Sequence, residues 1–151
     1  MKPWMWFVLL TIVCWGAYVP TLHQGQYALG KNSALRAFLF VGLAYGLTSI
    51  AAIAYLWQTK AEPWQFTSAG GAYSTVAGIL GAIGALGVVF ALKYQGRPLY
   101  VAPLVFAGAP IVNTLVSMIW HRPAEAPRIW FYCGILLAAL GGALVLRFKP
   151  A

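Results

Sequence analysis

Catalysis and metal binding need groups that take up protons or coordinate ions, and this chain of 151 residues has few of them. Glu62 and Glu125 are its only acids, and both lie in short polar stretches between apolar runs. A paired general acid and base therefore has no carboxylates to draw on inside any apolar run. His23 and His121 stand at run ends, without the clustered Cys, His or carboxylate partners of a metal site. Cys14 and Cys133 sit within apolar runs and read as packing residues rather than as a disulfide or a metal site. Ser74, Thr75, Thr114 and Ser117 have no histidine or lysine at a spacing that would activate a hydroxyl. The glycines around residues 78–87 are followed by no GK[ST] of a phosphate loop. An enzyme is the less favoured class, and neither a metal nor a cofactor is expected.

Recognition by uncharged groups remains. Trp15, Tyr18, Tyr45, Ser49, Thr75, Asn113, Thr114 and Ser117 are polar or amphipathic side chains within otherwise apolar stretches. Enclosing an amide or hydroxyl without a partner costs on the order of a few kcal/mol, so each should meet another helix, water or a ligand. Serine and threonine can bond to their own helix; Asn113 does so less easily and has two readings, a bond between helices and a contact to a ligand. Asn113, Trp15, Tyr18, Thr114 and Tyr45 are the candidate substrate-binding residues.

The elements that would position them follow from composition. The chain is 62% hydrophobic and 8% charged, too few charges to cover the surface of a soluble domain. Apolar runs cover residues 4–22, 35–57, 72–92, 99–120 and 129–146, each 18 to 23 residues long. About 20 residues at 1.5 Å each cross the hydrocarbon core of a bilayer. The fold predicted for residues 1–151 is therefore all-α, a single polytopic membrane domain with five transmembrane helices. The first run continues through Trp15 and Tyr18 with no small-residue cleavage site after it, which reads as a retained span rather than a secretory signal.

Five crossings put the two ends on opposite sides of the membrane. Lys2, Lys60, Arg122 and Arg128 fall on one side; Lys31, Arg36, Lys93, Arg97, Arg147 and Lys149 fall on the other. The excess of cations places the C-terminal side in the cytoplasm, but a near balance of this kind also suits a chain inserted in both orientations. The net charge of +8 flanks the spans, beside anionic headgroups, and forms no basic stripe interleaved with aromatics, so nucleic acid is not an expected partner. Small residues four apart (Gly42 and Gly46; Gly134, Ala138 and Gly142) and the glycines at 78, 81, 84 and 87 form smooth stripes. Such stripes let helices approach closely, either within one bundle or between subunits.

One stretch is irregular. Residues 93–119 read KYQGRPLYVAPLVFAGAPIVNTLVSMI, with Pro103 and Pro110 deep in an apolar run and Asn113 just beyond. Pro103 and Pro110 are expected to break or bend this helix, and broken membrane helices are where carriers commonly bind substrate.

The pattern resembles a known family. Ala91, Leu92 and Lys93, with Gly96 one position later than in the motif, resemble an A-L-K-x-G type turn after a glycine-rich third helix; Val101, Pro103 and Leu104 match a V-x-P-L motif, with Pro110 as the second proline; Trp15 and Gly16 match a W-G pair in the first helix. Together they resemble the EamA-like repeat of the drug/metabolite transporter superfamily. His121 through Glu125 depart from the G-E pair often found before that repeat's fifth helix. Many members hold ten spans in two inverted repeats, so the resemblance implies one half of such a transporter, completed by a second copy. It implies a multi-pass protein of the cell (inner) membrane that carries small metabolites by alternating access as an antiparallel homodimer. The alternatives are an accessory membrane protein docked to a larger complex, and a flippase for a lipid-linked small molecule.

Overall fold

A computed structural model describes residues 2–120 and 123–150. Five α-helices follow in order: α1 Pro3–Ala28, α2 Ala34–Thr59, α3 Ser68–Lys93, α4 Pro98–Trp120 and α5 Ile129–Phe148. All five are long and apolar enough to cross a membrane. Among the described residues there is no strand.

Three boundaries differ from the reading of the sequence. The polar stretch from His23 is not a loop, because α1 continues to Ala28. Its exposed carbonyls are then satisfied one by one, as a helix end requires. The N–H of Leu29 donates to the Gly25 carbonyl at 3.0 Å, and the N–H of Gly30, at φ +82°, to that of Tyr27 at 3.1 Å. The Ser33 hydroxyl donates to the Gln26 carbonyl, and the Arg36 guanidinium bonds the Leu29 and Lys31 carbonyls at 3.0 and 2.9 Å. Arg36→Gln is expected to cost about 1 kcal/mol and to speed amide hydrogen exchange in residues 29–33 while leaving α3 protected.

The second boundary is the start of α3, at Ser68 rather than residue 72. Thr67 has extended backbone and its Oγ1 accepts from the Gly70 N–H at 3.2 Å, an N-cap strong enough to start the helix before the apolar run. The third concerns Pro103 and Pro110, expected to break or bend α4. The helix runs unbroken through both. Each proline removes one N–H from the ladder, yet the turns on either side keep theirs, so the prolines mark missing bonds and not helix ends. The turn expected at residues 121–128 is seen from Pro123 onward; His121 and Arg122 lie outside the described residues.

The chain forms two compact units, Thr21–Gln95 and Met1–Pro20 with Gly96–Ala151. In the first, α2 packs along α3. Its buried residues are Leu22 and Gln26 near the end of α1, Ser33, Ala34 and Ala37 at the start of α2, and Val88, Val89 and Leu92 near the end of α3. The Gln26 amide donates to the Val89 carbonyl at 3.0 Å and ties α1 to α3 there. Away from this end the helices are open: residues 42–55 of α2 and 68–84 of α3 are exposed throughout. A Cβ added at Gly42, Gly46, Gly78, Gly81 or Gly84 would meet nothing within 4 Å.

In the other unit α4 packs along α5. Gly142 is buried, and a Cβ placed on it would come within 3.0 Å of the Ala107 Cβ. The small-residue stripe of α5 is thus used inside the chain at Gly142, whereas Gly134 meets nothing within 4 Å. Lys149 Nζ lies 5.0 Å from the Tyr100 ring centroid, a cation over an aromatic face near the ends of α4 and α5.

Candidate functional site

The candidate residues on α1 and α4 belong to one unit. Trp15 lies midway along α1, and Tyr18, three residues on, falls on the neighbouring side of the same face. Their ring centroids are 6.4 Å apart. Trp15 also meets Phe106 of α4 edge to face, at 6.2 Å and 63°. Such pairs contribute about 0.5–1.5 kcal/mol beyond their buried area. The cluster is not sealed, since Trp15 is 49% and Phe106 37% exposed, so ring surface is left over for another molecule.

Helix geometry adds Asn113 to this face. Residues seven apart on an α-helix are nearly two turns apart and only about 20° out of line. Asn113 therefore follows Phe106 along one side of α4, and Pro110 follows Pro103 within about 60° of it. Ser117 continues the same line one turn further. Asn113 is exposed and Thr114, a step around the helix, is half-buried. Tyr45 belongs to the other unit and is exposed on α2; its carbonyl accepts from the hydroxyls of Thr48 at 2.9 Å and Ser49 at 2.8 Å. Thr75 likewise donates to the Gly71 carbonyl at 2.8 Å. Ser49 and Thr75 are thus satisfied on their own helices, and neither needs a ligand.

The prolines change the backbone chemistry beside the rings. Pro110 has no N–H to give the Phe106 carbonyl, four residues back; Pro103 withholds one from Leu99, and Pro20 of α1 one from Gly16. Of these three carbonyls, that of Phe106 belongs to the Trp15–Phe106 pair; Gly16 and Pro20 lie about 100° and 140° around α1 from Trp15. Phe106 was not among the residues singled out from the sequence, where it stands among apolar neighbours without a mark of its own.

Elsewhere the groups that could do chemistry stay apart. Cys14 is exposed and Cys133 half-buried, both as free thiols. Among the described residues no three of His, Cys, Asp and Glu come together as metal ligands would. The His23 Nδ1 is enclosed and has no hydrogen-bond partner among the described residues. Comparison with family models, with curated proteins and with solved structures finds no match for this chain, so its function is to be inferred from these residues themselves.

Proposed function

We propose that the chain is a membrane transporter of small metabolites, working by alternating access as an antiparallel homodimer in the cell membrane. The carrying observation is the open aromatic pair Trp15–Phe106 in the middle of two apolar spans, with Asn113 two turns along the same face. An uncharged polar site half-way through a span has little use in a protein that only anchors, whereas a carrier needs one near the membrane midplane. Open glycine faces on α2 and α3 support the second copy, because small residues let helices of two chains approach closely. The resemblance to one EamA-like repeat points the same way.

An accessory membrane protein is the competing reading, favoured by the extent of unpartnered span surface: only 6% of the apolar window of α2 is buried. Uptake of radiolabelled sugars, amino acids and nucleosides into proteoliposomes separates the two. Flux of at least one solute is expected, reduced tenfold or more in Asn113→Ala. Absence of flux for every solute, together with a stable co-purifying partner, would overturn the carrier in favour of the accessory protein. Tags at the C-terminus of intact cells should label from both sides; one-sided labelling would refute dual insertion.

A further inference from the structure

Resting on the carrier reading, we infer that the Trp15–Phe106 site takes an uncharged, flat ring compound that carries N–H or O–H donors. Three observations select this class. The rings of Trp15 and Phe106 meet edge to face and stay partly exposed, which leaves ring surface for stacking. The backbone beside them offers an acceptor, because Pro110 withholds the helical N–H from the Phe106 carbonyl. None of the hydroxyl bonds formed by Thr11, Thr48, Ser49, Thr59 or Thr75 goes to that carbonyl. A carbonyl in an apolar surrounding gains most from a donor, and a ligand can supply it.

Charge is selected against. Both acids, Glu62 and Glu125, lie in the connections between helices, so a cation at the rings would have no counter-charge. Attraction by aromatic faces does not offset the removal of a full charge from water. An anion would face carbonyl oxygens, which repel it. Glycosyl rings bring donors but meet aromatic rings only through C–H faces and not a π face, and apolar arenes bring the face without the donors.

Binding of tritiated adenosine to the full chain in detergent tests this, with glucose and tetraphenylphosphonium as competitors. Adenosine should bind at least tenfold more tightly than either competitor. Pro110→Ala returns the missing N–H to the helix and occupies the Phe106 carbonyl internally; it should weaken adenosine about tenfold, the effect of one hydrogen bond. Pro98→Ala changes a first-turn proline and should leave affinity unchanged. Circular dichroism checks that each variant keeps its helices. No adenosine binding, equal binding of tetraphenylphosphonium, or unchanged affinity in Pro110→Ala would overturn the inference. Adenosine binding with no flux of any solute would uphold this site and refute transport; flux of another solute without adenosine binding would do the reverse.

Discussion

Gly142→Leu should force α4 and α5 apart and destabilise their unit by about 1–3 kcal/mol, the usual cost of overfilling a close contact. Even a methyl group at this position would stand 3.0 Å from the Ala107 Cβ, so alanine already requires the neighbour to yield by a few tenths of an ångström. A leucine adds three more carbons to a space that has none free. In a bilayer, which α4 and α5 are long and apolar enough to cross, such a loss would be felt directly, because helices there associate through close packing. The neighbouring glycine is the control: Gly141 meets nothing within 4 Å, and Gly141→Leu, which also improves helix propensity, should be neutral or slightly stabilising. Ala107→Gly combined with Gly142→Ala should recover most of the stability lost in Gly142→Ala alone. Thermal unfolding in detergent reads all four, and equal melting of Gly142→Leu and Gly141→Leu would show that the α4–α5 contact carries no stability.

Gln26→Ala should loosen the other unit by about 2–3 kcal/mol, of which roughly half is the hydrogen bond and the rest the space left behind. Gln26 is 8% exposed, and its amide donates to the carbonyl of Val89, which is wholly buried. Both partners are buried, as are Leu22, Ala37, Val88 and Leu92 of the same unit, so water has little access to replace the bond. Gln26→Leu separates the two contributions. It keeps most of the volume and removes the donor, and should cost about 1 kcal/mol, since the Val89 carbonyl retains its place in the α3 ladder. The Ser33 bond goes to the backbone of residue 26 and survives both changes. Faster hydrogen exchange at the ends of α1 and α3, with α4 and α5 unaltered, is the expected signature.

These two contacts show which parts of the molecule could be read from sequence. Five long apolar helices were legible because an apolar run of bilayer length admits little but a helix. Their ends were less so, since caps outrank hydropathy there: Thr67 starts α3 before the apolar run does, and Ser33 with Arg36 ends α1 after it. Gln26 looked like a loop residue for that reason. Of the candidate site, Trp15 and Tyr18 are brought together, but Phe106 was hidden among apolar neighbours, because a ring announces its partner only when two helices are seen side by side. The prolines were legible as irregularities, expected to break or bend the helix, and α4 is continuous through both. A single missing N–H is too small a fault to end a helix whose other turns remain bonded.

The one-ended burial of the unit that holds α2 and α3 has a mechanical consequence. The two helices are gripped at the end where Ala34, Ala37, Val88, Val89 and Leu92 are buried and the Gln26 amide bonds the Val89 carbonyl, and from there they extend with little protein around them. At 1.5 Å per residue, a 26-residue helix is a lever of about 39 Å. A rotation of roughly 5° at the gripped end carries the far end about 3 Å, the width of a water molecule, for side-chain shifts at the grip well under an ångström.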